Sequence, residues 1–234
     1  MRQSWRRWLR GPKHGVARGI AVYGSRGSQH DPEQVADLLS RCPELRAWAR
    51  AGKTFASWRE ADSSIPPPAQ HALMTLEWVT RAENLAIAGP SGTGKSHFAE
   101  ALAHKAIDTG LRVAWFTLES LTATLGRAAV DGTVARAIAK ITRCELIIID
   151  DIGMLPAGQA AGEAFYRLAD AAYERRSVVV TSNLHPSGFD TIMPKTLATA
   201  TVDRLLHHAH LVTTDGTSLR LAEATTGKGV IPLT

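Results

Sequence analysis

Leu85-Ala86-Ile87-Ala88-Gly89-Pro90-Ser91-Gly92-Thr93-Gly94-Lys95-Ser96 decides the fold of this 234-residue chain. Four apolar residues read as a short buried strand. The next eight fit G-x-x-x-x-G-K-[ST] at every fixed position, and a helical pattern then runs to about Thr109, where Gly110 supplies a stop. Strand, glycine-rich loop and helix in that order form a phosphate cradle. The glycines let backbone N–H groups turn inward, and the helix presents its positive N-terminal end to the same point. Lys95 places a charge between the β- and γ-phosphates of a nucleoside triphosphate, and Ser96 offers a hydroxyl to Mg²⁺. The expected ligands are therefore ATP and Mg²⁺, held by Gly89, Pro90, Ser91, Gly92, Thr93, Gly94, Lys95 and Ser96.

Two further stretches fit the same edge of a sheet. Leu146-Ile147-Ile148-Ile149-Asp150-Asp151 delivers two carboxylates after four apolar residues. Asp150 is expected to hold Mg²⁺ through water, and Asp151 to orient or activate the attacking water. Thr181-Ser182-Asn183 ends a later apolar run, and Asn183 is placed to hydrogen-bond that water or the γ-phosphate.

The runs 85–88, 111–117, 145–149 and 177–181 are β-branched and apolar without alternation, which indicates strands covered on both faces. Helices are predicted over 69–80, 119–142 with a break at Asp131-Gly132, 157–175 and about 198–209. A hairpin is predicted from Leu211 to Leu221, turning at Asp215-Gly216. The fold class is α/β, a five-stranded parallel sheet flanked by helices.

Before this core, Asp31-Pro32-Glu33-Gln34 is a helix-start signature, and Val35, Leu38, Leu39 and Cys42 follow at helical spacing. The proline run 66–68 reads as a rigid linker. The expected organisation is a basic leader over 1–30, a short helical N-terminal segment and linker over 31–64, the main domain over 65–225 and a tail over 226–234.

The net charge of +5 belongs to the leader, which holds seven Arg/Lys and no Asp/Glu; the rest carries 20 basic and 22 acidic residues. Such a leader is either a solvated tail or a nucleic-acid arm, the second reading favoured by Trp5 and Trp8 among its arginines. Arg6-Arg7 lacks the apolar stretch an export signal needs, and no apolar run approaches the ~20 residues that span a bilayer. A cytoplasmic protein with no membrane contact is expected. Two cysteines without CxxC spacing exclude a disulfide scaffold and a zinc ribbon.

Gly89–Ser96, Leu146-Ile147-Ile148-Ile149-Asp150-Asp151-Ile152-Gly153, Tyr173-Glu174-Arg175-Arg176-Ser177, Thr181-Ser182-Asn183-Leu184 and Asp203-Arg204-Leu205-Leu206-His207-His208 together resemble the IstB-like transposition helper ATPases. These are AAA+ P-loop NTPases related to the DnaC-like helicase loaders, and the likeness covers about residues 53–224. The resemblance implies ATP hydrolysis, with Lys95, Asp151, Asn183 and Arg204 as the catalytic set. Arg204 matches the arginine finger that reaches a neighbouring subunit's ATP, implying a homo-oligomer with shared active sites. Removing such a finger costs ~10³–10⁵ in rate in GTPase systems. Arg220 matches a second nucleotide sensor, although Leu219 stands where the family has an aromatic residue. Arg127, Arg136, Lys140 and Arg143 lie on helices that line a central DNA path in this clade. Phe55 and Trp58 hold positions that flank adenine in this fold. Asp151 replaces a Glu usual in the family.

The function implied is an ATP-dependent regulator of transposition that assembles on duplex DNA and delivers it to a transposase. The alternative is a replicative helicase loader acting on single-stranded DNA. A small-molecule kinase would need an Arg-rich lid, which is not evident, and a scaffold that binds ATP but barely hydrolyses it is the reading that Asp151 keeps open. His207, His208 and His210 are not expected to bind metal, because no Cys or carboxylate partner is obvious in the sequence. His97 is read as packing or capping.

Overall fold

The computed structural model describes Val22–Tyr23 and residues 53–154 and 156–219. The expected helical segment at 31–50, the tail and Arg220 lie outside the described residues. In chain order the elements are β1 Val22–Tyr23, α1 Pro67–Met74, α2 Glu77–Thr80, β2 Asn84–Ala88, α3 Lys95–Asp108, β3 Val113–Thr117, α4 Leu118–Val130 and α5 Val134–Ile141. They continue with β4 Leu146–Ile152, α6 Gly158–Ala172, β5 Ser177–Ser182, α7 Lys195–Leu206 and β6 Ala209–Thr213.

The strand order is β1-β3-β4-β5-β2-β6. Five strands are parallel, as the sequence predicts, and β1 adds an antiparallel edge beside β3. Continuous apolar runs become strands buried on both faces. Ile147 and Ile149 join a core cluster with Leu121, Phe165 and Leu205, while Leu146 and Ile148 join one on the opposite face with Leu73, Phe98 and Leu102. Each fully buried Leu or Ile contributes about 1.5–3 kcal/mol through apolar burial, so the sheet strands anchor both core clusters. Among the described residues, no helix is long and apolar enough to cross a membrane.

Three predicted elements change. The helix at 69–80 divides, because Leu76 adopts a left-handed φ of 60° that brings its own side chain and Trp78 into the core. Trp78 Nε1 then donates to Leu73 O at 2.9 Å, satisfying the indole inside the protein. The helix predicted at about 198–209 starts after Pro194 and ends at Leu206. The hairpin at 211–221 does not form across the described residues. The strand is β6, which leaves α7 and pairs parallel with β2, from Asn84↔Ala209 to Ala88↔Thr213. The turn at Gly216 (φ 102°) exists, but it sends the chain onto the phosphate loop, where Leu219 N donates to Gly92 O at 3.0 Å.

The chain before α1 also packs on this core. Phe55 meets Phe98 edge-on and Trp58 lies tilted against it. Trp58 Nε1 donates to Gln70 Oε1 at 2.6 Å, and the fully buried Gln70 donates in turn to Ile65 O at 2.6 Å. Lys53 pairs with the buried Glu100 on α3 at 3.3 Å. Burial pushes the Glu100 carboxyl upward, opposed by Lys53.

Candidate functional site

The carboxyl ends of β2, β4 and β5 carry the residues that the sequence predicts for phosphate and metal chemistry. The loop from Gly89 to Gly94 leaves β2 and feeds α3, whose first residue is Lys95. Gly89 is needed for space: a Cβ there would sit 2.1 Å from Thr214 O. Gly94 combines a left-handed φ of 89° with Trp58 ring carbons 3.1 Å from where its Cβ would be. Only glycine meets both demands without strain. The Thr93 hydroxyl donates to Pro90 O at 2.8 Å and lies 2.7 Å from the Thr214 hydroxyl, so the residues after β6 brace the loop.

Lys95 is buried with its ammonium turned into the loop. It donates to Gly89 O at 2.8 Å, to Pro90 O at 2.6 Å and to Asn183 Oδ1 at 3.0 Å. The Ser96 hydroxyl donates to Asp150 Oδ1 at 2.8 Å. Loop, β4 and β5 are thus linked by buried and part-buried polar contacts.

Register explains how two adjacent aspartates differ. The β4–β5 pairing is regular to Ile149↔Val180 and resumes at Ile152↔Ser182, leaving a bulge over Asp150 and Asp151. Asp150 is buried, while Asp151 is exposed with a left-handed φ of 62°. Aspartate tolerates that conformation better than most residues.

Sequence reasoning overlooked Thr181. Its hydroxyl donates to Asp150 Oδ1 and accepts the Asp151 N–H at 3.1 Å, so one buried side chain holds both sides of the bulge. A threonine inside a β-branched run reads as a strand former, and only the register places it opposite the aspartates. Asn183 Nδ2 donates to Met154 Sδ at 2.6 Å, leaving its carbonyl oxygen aimed at Lys95.

Arg204 takes a different position from the loop residues. It occupies the last turn of α7, where Nε donates to Asp170 Oδ1 of α6 at 2.7 Å and the guanidinium lies 5.1 Å from the Tyr166 ring centre. Arg127 is exposed on α4, Arg136 and Lys140 are on α5, and Arg143 is exposed just after it. Burial, aided by Arg143, pulls the Lys140 ammonium down to about 8. His97 packs edge-on against Trp58 and lies 3.2 Å from the Ser57 hydroxyl.

The donor set of Ser96 and Asp150 is hard oxygen, which suits Mg²⁺.

Comparison with known proteins gives the same direction. Over 155 residues the chain is 39% identical to a Pseudomonas aeruginosa protein named for ATP binding in insertion sequence IS21, covering 64% of this chain and 57% of the relative. Over 192 residues it is 32% identical to a Sinorhizobium fredii insertion-sequence ATP-binding protein, covering 82% and 70%. The chain spans about three fifths of the length of the first curated relatives it matches. Among solved structures, AMPPCP-bound DnaA from Aquifex aeolicus aligns with a TM-score of 0.59 at 19% identity, covering 75% of this chain and 55% of that one. The DnaC helicase loader aligns with a TM-score of 0.53 at 16% identity, covering 64% and 92%. At these identities the structures establish a shared AAA+ fold. The family described as IstB-like ATP binding protein matches residues 46–226, well over half of the sequence, and it bears out the resemblance read from the motifs: this chain belongs to that family.

Proposed function

We propose that this chain is a Mg²⁺-dependent ATPase that assembles with ATP on duplex DNA and delivers that DNA to a transposase. One observation carries the enzymatic part: the Lys95–Asn183 pair and the Ser96–Asp150–Thr181 network lie at one sheet edge, with Asp151 beside them. Bound ATP places its β- and γ-phosphates in the Gly89–Ser96 loop. Lys95 turns its ammonium from the loop carbonyls to the phosphate oxygens, and the N-terminal end of α3 stabilises their charge. Ser96 and Asp150 would hold Mg²⁺, which would offset phosphate charge. Asp151 accepts a hydrogen bond from the attacking water and takes its proton. Asn183 fixes that water or the departing γ-phosphate.

Arg204 completes the site from a neighbouring subunit. Its place on α7, engaged with Asp170 instead of its own phosphate loop, supports that reading. Arg127, Arg136, Lys140 and Arg143 bind DNA phosphates. The insertion-sequence context of the relatives favours transposition over helicase loading. Arg220 is retained as a nucleotide-sensing candidate on the family likeness alone, and a cytoplasmic location follows from the proposed role.

Sedimentation with ATP on duplex and on single-stranded DNA of equal length tests the proposal. Large ATP-dependent assemblies on the duplex are expected. Assembly confined to single strands would replace the transposition reading with the helicase-loader one.

A further inference from the structure

The turn between α6 and β5 meets the end of α7 at a cluster that the phosphate chemistry does not use. Glu174 Oε1 lies 3.9 Å from His207 Nδ1 and 3.7 Å from His208 Nε2. All three residues are exposed, and their ligating atoms lie within 4.8 Å of one another. The sequence gives no hint of this, because His207 and His208 are adjacent on a helical pattern and their carboxylate partner is 33 positions earlier. The structure corrects the expectation that no carboxylate is near. His207 caps α7, so the two imidazole rings leave the helix together, with centroids 4.1 Å apart, and converge on Glu174.

We propose that Glu174, His207 and His208 form a binding site for a divalent ion of the zinc class. Two imidazoles and one carboxylate are a set Zn²⁺ favours, and donors around a tetrahedral zinc stand ~3.4 Å apart. The spacings of 3.7 and 3.9 Å close to that value by small rotations of exposed side chains. The negative end of α7 adds attraction for a cation. Tyr173 borders the site: its hydroxyl lies 2.6 Å from His207 Nδ1, the atom the ion takes, and has the Glu174 carboxylate as an alternative partner. When the ion takes Nδ1, the hydroxyl turns to the carboxylate and keeps a hydrogen bond. Water fills the fourth position. The bound ion ties the α6–β5 turn to the helix end one turn beyond Arg204, so its occupancy fixes the segment that carries that arginine.

The test uses the full chain, stripped with a chelator and desalted, in a Zn²⁺ competition titration against a chromophoric chelator. A parallel titration with Co²⁺ follows visible absorption. One ion per chain is expected, with a Co²⁺ band typical of tetrahedral nitrogen–oxygen ligation. Binding weakens by at least about tenfold in His208→Ala and in Glu174→Gly. Glycine suits the φ of 55° at position 174, so that variant removes the carboxylate without straining the turn. Asp150→Asn, which alters the phosphate-side cation site, leaves Zn²⁺ binding unchanged. Unchanged affinity in both His208→Ala and Glu174→Gly, or failure of the native chain to compete with the chelator, overturns the proposal.

Discussion

Lys95 Nζ lies 3.0 Å from Asn183 Oδ1, so the phosphate loop and the tip of β5 share one cation. The same ammonium satisfies Gly89 O and Pro90 O, which places it to answer both nucleotide arrival and the state of β5. Charge-assisted hydrogen bonds contribute about 1.5–3 kcal/mol each. Lys95→Ala is therefore expected to weaken ATP binding by at least about a hundredfold, measured by titration with a fluorescent nucleotide. Asn183→Ala is expected to bind ATP within about tenfold of the native chain while its steady-state turnover falls. Equal loss of binding in both variants would show that Asn183 only supports the loop.

Thr181 is expected to act as a positioning residue, through Asp150 and the Asp151 backbone. Thr181→Val keeps the shape and β-propensity but leaves Asp150 without one donor and the Asp151 N–H without its acceptor. Groups that orient metal ligands are worth about 10–100-fold. The Mg²⁺ concentration for half-maximal ATPase activity should rise by that factor, and Thr181→Ser should restore it. A fall in thermal stability with no change in Mg²⁺ dependence would leave Thr181 a structural role only.

These contacts separate what the sequence can and cannot show. The loop 89–96 and the run 146–151 are local patterns whose chemistry is fixed by spacing, so they are legible without coordinates. The four central parallel strands, β2 to β5, are legible because a strand buried on both faces has no polar alternation. Long-range pairing is the part that escapes. Thr181 opposite Asp150, Thr214 against Gly89 and Glu174 between two histidines depend on register and crossover, which no local pattern encodes. β6 escapes for a related reason. Asp215-Gly216 is a true turn signal, but a turn does not specify whether the next residues form a strand or, as here, a brace on the phosphate loop.

Arg204 and its partner Asp170 give a test of shared active sites. Arg204→Ala is expected to bind ATP normally and to hydrolyse it at least about a thousandfold more slowly, in line with arginine fingers elsewhere. Mixing it with Lys95→Ala protein should restore measurable ATPase activity, since a mixed oligomer contains sites with one intact loop and one intact arginine. Absence of recovery at every mixing ratio would place the arginine within its own subunit's site or outside catalysis.

Asp151 combines an exposed carboxylate with a left-handed backbone. Asp151→Asn preserves size and tolerance of that backbone but removes the proposed base. Hydrolysis is expected to fall about 10²–10⁴-fold while ATP stays bound and oligomers persist, as followed by single-turnover assay and sedimentation. Asp151→Gly is expected to be equally inactive yet more stable by about 1 kcal/mol, because the backbone strain is relieved. A less stable Asp151→Gly protein would show that the left-handed turn costs nothing in the native chain.

Lys140 offers a pH test of the proposed DNA surface. Burial, with Arg143 nearby, lowers its ammonium to about 8 from the ordinary 10.5. In the window between those values the unfolded chain holds the proton and the folded chain releases it, so this group makes folding stability rise with pH. DNA affinity runs the other way, since a neutral amine releases no phosphate counterion. Duplex binding at fixed ionic strength, followed by fluorescence anisotropy, should therefore weaken between about pH 7 and about pH 9, where an ordinary lysine stays charged. Lys140→Arg should flatten that dependence and keep the affinity seen at the lower pH. If the native chain and Lys140→Arg follow the same pH curve, Lys140 does not contact DNA, and the DNA path has to be sought away from the end of α5.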